Sequence, residues 1–437
     1  MELKMHSIYF QKRSPVLRIL FILSASVFLG GLPANAQKEE PNFELPVGIR
    51  ASNVLPREML RGPHHTVQEY VVTYNGFTNH FRIDSKFGRF KATGNGMVPV
   101  RIQEINVIAR LEKMKNSDKF LDGLKESGGT LLESTKNLVL HPVDTIGGFP
   151  TGLYNIFADI GVVSGKVIKG EASIAEATVK VGDALVGFSR NKRELAFSLG
   201  VNRFSDNKVL HEYLNSVTWA TTGGTFTIDL GKMAVTGPAG SVITGVSLTR
   251  TMGRMMRDNT IPGLQRINEE ALEGMGFPES TIDRFIGNHK LTPRHQTAIT
   301  QSLVSLRKAK NPEAFLSLVS THTRSLDDAN MYQAVAAMIA AYNKTQVPIT
   351  EVHTIEKVLL FRNEKGSYVL TYPIDNFFWT KQAAEKTKKV LRLLPSKARK
   401  ELWISGTFSD LAVKKLNELG WVLHDRSMGT LKMGNPY

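Results

Sequence analysis

Apolar and polar side chains alternate in short runs between residues 66 and 103. Val67, Tyr70, Val72 and Tyr74 form a β-prone run, and Asn75-Gly76 supplies a hairpin-type turn. Phe77, Phe81 and Ile83 follow, then Gly88, Phe90 and a Gly94-Asn95-Gly96 turn. The stretch predicts a small antiparallel sheet, preceded by a Pro-containing extended lead-in over residues 37–62. The period then lengthens. Ile105, Ile108, Leu111 and Met114 recur at helical spacing, and Phe120, Leu124, Leu131 and Leu138 carry the pattern to His141-Pro142.

From Asp144 to Arg190 two apolar stripes are interrupted by glycine. Tyr154, Phe157, Ile160 and Val163 make the first, and Ile174, Ala177, Val181, Ala184 and Phe188 the second. Gly161, Gly165 and Gly170 each lower helix propensity by about 1 kcal/mol relative to alanine. Helices of this kind either lie on a membrane or pack closely in a soluble bundle. A basic helix ends at Gly200, and Ser205-Asp206-Asn207 reads as the cap of a helix through Val209, Tyr213 and Val217. Residues 217–257 are strongly apolar, with no charge from Met233 to Thr249. Pro238 and several glycines break this run, which is shorter and less clean than the roughly 20 residues of a spanning helix. A buried helical hairpin is the expectation, and a membrane-inserting hairpin the alternative.

Residues 262–343 read as short helices punctuated by Gly276, Pro293, Pro312 and Leu326-Asp327-Asp328. Beyond them lie a hairpin about Lys365-Gly366, a helix from Thr380 to Leu394, and a strand–helix–strand unit over Leu402–Ser405, Asp410–Leu419 and Trp421–His424. The expected fold class is α+β and predominantly helical. It comprises a small N-terminal antiparallel sheet (37–103, with its lead-in), a large helical middle (104–345) and a basic C-terminal α/β portion (346–437).

The N-terminus changes the functional picture. Lys4, Lys12, Arg13 and Arg18 precede an apolar run from Ile19 to Leu32, and Ala34-Asn35-Ala36 matches the A-x-A pattern of signal peptidase sites. Residues 1–36 are therefore expected to be a cleaved signal peptide, and the protein exported to the periplasm or outer membrane, or released. Losing four basic residues and one acid takes the net charge from +15 to +12. Export disfavours nucleic acid as a partner. Anionic lipid or another envelope polyanion becomes the expected partner, with a protein partner as the alternative. Residues 381–415 hold ten basic residues against three acids. Lys381, Lys388 and Arg392 share one helical stripe there, and they are the candidate anion- or membrane-contacting residues.

Chemistry is sparse. The chain has 437 residues and no cysteine, which excludes disulfides, thiolate metal sites and cysteine nucleophiles. It contains no H-E-x-x-H, G-x-S-x-G, Walker loop or dinucleotide fingerprint. The vicinal His64-His65 lacks a third ligand at useful spacing. Ser189-Arg190-Asn191-Lys192 and Ser205-Asp206-Asn207 imitate the motifs of penicillin-interacting enzymes, but they lie too close together and no K-T-G follows. Thr292-Pro293-Arg294-His295-Gln296 opens a helix, where a cap is the expected role and anion binding the alternative. Gly406-Thr407-Phe408-Ser409 joins a strand to a helix, where an ordinary turn and cap is the expectation and an anion cradle the alternative. No catalytic residue, metal site or cofactor is expected.

Several segments carry a resemblance: Phe87-Gly88-Arg89-Phe90 with Arg101-Ile102-Gln103-Glu104-Ile105, Leu140-His141-Pro142-Val143-Asp144-Thr145, Lys192-Arg193-Glu194-Leu195-Ala196 to Gly200-Val201, and Leu291-Thr292-Pro293-Arg294-His295-Gln296-Thr297. The chain resembles, over most of its length, a family of uncharacterised exported bacterial proteins with no assigned activity. The resemblance implies an exported whole-chain architecture and no site residues. The expected function is that of a non-enzymatic cell-envelope protein contacting a membrane or anionic surface. The alternatives are a soluble periplasmic protein-interaction module, and an exported hydrolase, for which His295, His211 and Asp327 are the residues to substitute.

Overall fold

A computed structural model describes residues 43–46, 48–74, 77–117, 120, 188–222, 250–355 and 357–437. The expected signal peptide, the Asn75-Gly76 turn, the uncharged stretch at 233–249 and all but the end of the glycine-spaced tract lie outside the described residues.

The first sheet is antiparallel and curls around its longest strand. Its strands are β1 (Ile49–Arg50), β2 (Arg61–Gly62), β3 (His65–Val67), β4 (Tyr70–Tyr74), β5 (Thr78–Ser85) and β6 (Gly88–Thr93). β4 and β3 pair successive halves of β5 along one edge, and β6 pairs its other edge from His80↔Thr93 to Ser85↔Gly88. The alternation noted in the sequence sets the inward face. Phe81 and Ile83 of β5 and Phe90 and Ala92 of β6 are buried against the Met97–Lys115 helix. That helix begins at Met97, so residues 97–103, expected to belong to the sheet, are helical and the last strand ends at Thr93. Pro99 sits in its first turn, where a missing N–H costs nothing. The helical residues 188–198 and the Lys208–Thr222 helix complete this core through Leu195, Leu199, Leu210, Leu214 and Val217.

The second sheet is mixed, in the order β13-β11-β9-β8-β7. β7 (Ile349–Ile355), β8 (Val358–Asn363) and β9 (Tyr368–Tyr372) form an antiparallel meander, with Gly366 at φ +78° in the turn between the last two. β11 (Lys400–Ile404) and β13 (Trp421–His424) add in parallel, joined by the Asp410–Glu418 helix. Helices pack on both faces. Leu359, Phe361, Val369 and Trp403 meet the helices from Ile261 to Thr345. Leu360, Leu370, Leu402 and Ile404 meet the Lys381–Leu393 and Asp410–Glu418 helices. β11 is buried at every position. Two-sided burial removes the period-two signal, as in a central parallel strand.

The fold is thus α+β but not predominantly helical. Among the described residues 51% are helical and 20% are in strands, divided between two sheets. Two features hide the strands from periodicity. β8 carries three consecutive buried residues, and β1, β2, β10 (Asn376–Phe377) and β12 (Thr407–Phe408) are two residues long. β1, β10 and β12 exist only because partners twenty or more residues away pair with them.

A hydrogen-bonded seam ties the first sheet to the second. The buried Asp375 carboxylate accepts from the backbone N–H of Asn79 at 2.8 Å and of Asn95 at 2.9 Å. The Asn376 side chain donates to Asn79 Oδ1 at 2.8 Å, and Asp375 N donates to Phe77 O at 2.9 Å. Glu44 adds a further tie, accepting from Trp379 N and Ser409 Oγ.

Candidate functional site

The basic stripe lies on the Lys381–Leu393 helix. Thr380 caps it, its hydroxyl accepting from Ala383 N at 3.1 Å. Ala383, Ala384, Thr387 and Val390 face the mixed sheet and are buried. Lys381, Lys388 and Arg392 are exposed, on the arc that also carries Lys386, Lys389 and one acid, Glu385. Leu393 lies at the margin of that arc and is 64% exposed, so the face combines cations with a protruding apolar side chain. Lys400, counted in the basic C-terminal run, does not belong to this surface. It is buried, with its ammonium donating to Ala398 O at 3.2 Å.

A second group of cations is internal. A cavity of 190 Å³ opens where the Met97–Lys115 helix, the 188–198 helix with its following turn, the Arg250–Asp258 helix and the Pro293–Val304 helix meet. Arg193, Arg203, Arg257 and Arg294 line it, with Phe197, Val100 and Met256 as apolar wall. Arg193 donates to Ser189 Oγ and to Arg257 O, each at 3.0 Å, and Arg203 donates to Asn259 O at 3.1 Å. Arg257 is paired with Asp258 at 2.6 Å and stacks over Phe197 at 4.7 Å. Glu104 is the side-chain carboxylate among the described lining residues. Its oxygens already accept from Arg101 at 2.7 Å, Ser205 at 2.5 Å and Asn207 at 3.0 Å. Burial, with Arg193 nearby, lowers the Arg203 pKa to about 10. Burial lowers that of Arg294 to about 10 as well, partly offset by Glu104. Both remain charged at neutral pH. Burial and the Arg203 charge bring Lys192 down to about 8.

These arginines come from positions spread over about a hundred residues, so no local motif announces them. The one trace is Arg294 in the Thr292–Gln296 segment. Its neighbour His295 takes the capping role. Thr292 N donates to His295 Nδ1 at 3.1 Å, and His295 N donates to Thr292 Oγ1 at 3.3 Å. An accepting Nδ1 places the ring proton on Nε2, which donates to Asn330 Oδ1 at 3.0 Å. His295 is therefore a buried neutral imidazole, and burial lowers its pKa to about 4, against the pull of Asn330. His211 turns its Nε2 to Ser205 O at 2.7 Å, and Asp327 is exposed in the first turn of the Leu326–Thr345 helix. Among the described residues no hydrogen bond or ion pair joins His295, His211 and Asp327. None of the described helices is long and apolar enough to cross a membrane, and no group of three or more His, Asp or Glu among the described residues is placed to hold a metal ion.

Asp375 and His295 give opposite pH dependences. Below pH 6.5 the unfolded His295 takes a proton that the folded ring refuses until about pH 4, so its contribution to stability falls as pH drops through that window. Burial raises the Asp375 pKa from 3.8 to about 6, against its two backbone hydrogen bonds. The folded state therefore holds that proton more tightly, and its contribution rises as pH drops from 6 to 3.8. Each shift corresponds to about 3 kcal/mol across its window. The expected result is near-cancellation in the wild type. In H295Q stability should rise by about 3 kcal/mol relative to wild type as pH falls from 6.5 to 4, and in D375N it should fall by about as much. Urea unfolding at several pH values checks this, and parallel pH profiles for the three proteins would refute it.

No family model, curated protein or solved structure matches the chain.

Proposed function

We propose that the protein is an exported, non-catalytic cell-envelope protein that docks on an anionic lipid surface through the exposed face of the Lys381–Leu393 helix. The carrying observation is the concentration of Lys381, Lys386, Lys388, Lys389 and Arg392 on one solvent-facing arc, beside a Leu393 that is 64% exposed. Cations at a negatively charged bilayer each contribute about 1 kcal/mol, and an apolar side chain at the same edge adds burial in the interface. The signal-peptide pattern and the net charge of +15 support the same reading.

The test is flotation of the chain from Gln37 onward with phosphatidylglycerol-containing and with neutral vesicles. Binding to the anionic vesicles only, weakening steeply with salt, is the expected outcome. The variant K381Q/K388Q/R392Q should bind roughly a hundredfold more weakly, from about 1 kcal/mol per removed charge. Absence of flotation at low salt, or an unchanged affinity in the variant, would overturn the proposal.

A further inference from the structure

The arginine-lined cavity has a charge balance that the surface-docking reading does not use. Arg193 and Arg203 reach it from the 188–198 helix and the turn after it, Arg257 from the Arg250–Asp258 helix and Arg294 from the Pro293–Val304 helix. The charge of Arg257 is met by Asp258, and that of Arg101, behind the wall, by Glu104 and Asp206 at 2.7 Å each. Arg193 and Arg203 donate to neutral acceptors, a hydroxyl and backbone carbonyls. Arg294 is 7% exposed and makes no hydrogen bond or ion pair with any described residue, and the buried Nε atoms of Arg203 and Arg294 have no acceptor. Glu104 is already engaged by three donors. Holding like charges close together in a place poor in water is costly, and an uncompensated buried guanidinium is costlier still.

We propose that this cavity is a binding site for a phosphate group, held by Arg193, Arg203 and Arg294, with Phe197, Val100 and Met256 against a small substituent on the phosphate. A cavity lined by three guanidinium groups suits an acceptor with several terminal oxygens and more than one negative charge better than a single carboxylate. The cavity, at 190 Å³, has room beyond the phosphate itself on its apolar side. Phe197 is 40% exposed and stacks under Arg257, so part of the cavity lining faces solvent. Lys192, half-buried near Arg203, adds positive potential without lining the cavity.

The test is thermal unfolding of the chain from Gln37 onward in inorganic phosphate, glycerol 3-phosphate and a soluble short-chain phosphatidate. Each is compared with chloride at equal ionic strength. Near saturation, an upward shift in Tm of about 3 °C is expected with at least one of the three. A shift with the first two assigns the site to a free phosphate or phosphomonoester, and a shift with the phosphatidate alone to a lipid headgroup. Arg294→Met removes a buried charge and keeps the volume, so without ligand it should unfold at or above the wild-type temperature. Its affinity for the probe should fall roughly 30-fold. Arg203→Gln, at a less buried position, should weaken the same probe about tenfold and guards against misfolding of the first variant. Arg266→Gln, in an exposed pair with Glu270, should leave the shift intact. No shift with any probe, or a shift that persists in both Arg294→Met and Arg203→Gln, would overturn the assignment.

Discussion

Gly406→Ala is expected to leave little or no folded protein. A Cβ at position 406 would lie 1.8 Å from Asp375 O and 2.2 Å from its carbonyl carbon. These are backbone atoms, so no side-chain rotation relieves the overlap. Gly406 N donates to Ile374 O at 2.8 Å, Thr407 N donates to Asp375 O at 3.0 Å, and Arg426 N donates to Gly406 O at 2.8 Å. Making room for a methyl group must therefore break the parallel pairing of β10 with β12. It must also displace Asp375, whose carboxylate holds Asn79 and Asn95 of the first sheet. The expected cost exceeds about 4 kcal/mol, in the range reserved for core overpacking combined with loss of a buried network. Soluble yield and the unfolding midpoint measure it. A Gly406→Ala protein melting within a few degrees of wild type would show that the close approach is not needed.

Glu104→Ala should be the next most damaging change. Arg101 and Glu104 stand one turn apart on the Met97–Lys115 helix, with side chains 7% and 3% exposed. Arg101 also donates to Lys91 O at 3.1 Å, holding β6 against the helix. Burial alone would lower the Arg101 pKa, but the Glu104 and Asp206 carboxylates more than offset it and the net direction is upward. Glu104 fastens the loop before the Lys208–Thr222 helix by accepting from Ser205 and Asn207, while Asn207 Oδ1 caps that helix through Leu210 N at 3.1 Å. Removing the carboxylate leaves Arg101 with only the half-exposed Asp206, and takes from Arg294 the charge that supports it. The expected loss is about 4 kcal/mol, or roughly 5 °C in Tm for a chain of this size. The double variant R101M/E104M should be more stable than Glu104→Ala, because no uncompensated charge then remains at that pair. A loss below about 1 kcal/mol in Glu104→Ala would show that solvent or Asp206 suffices for Arg101.

Much of the secondary structure was legible because it depends on neighbours in sequence. The alternation of Phe81 and Ile83, the cap at Ser205-Asp206-Asn207, the Thr292-Pro293 start, the Gly366 turn and the strand–helix–strand at the C-terminus each rest on propensities or capping bonds spanning a few residues. So does the exposed stripe of Lys381, Lys388 and Arg392, since a helix with an apolar face toward a sheet must turn its charges outward. The balance of helix and strand was not legible in the same way. β11 is buried on both faces and carries no alternation, and strands such as β10 and β12 are made by partners about thirty residues apart. Local pattern likewise read Gly406 as an ordinary turn glycine, whereas its necessity comes from the carbonyl of Asp375 packed against it. The cavity is the extreme case. Arg193, Arg203, Arg257 and Arg294 look like ordinary surface cations in sequence, because charge says nothing about burial until helices from four parts of the chain close around it. The sequence by itself determined several caps and turns and which face of the Lys381–Leu393 helix stays in water, though not the start of the Met97–Lys115 helix. Only the tertiary structure decided which charges are buried, which glycine cannot be replaced and where cations converge, because desolvation, steric overlap and like-charge proximity are properties of distances between residues remote in the chain.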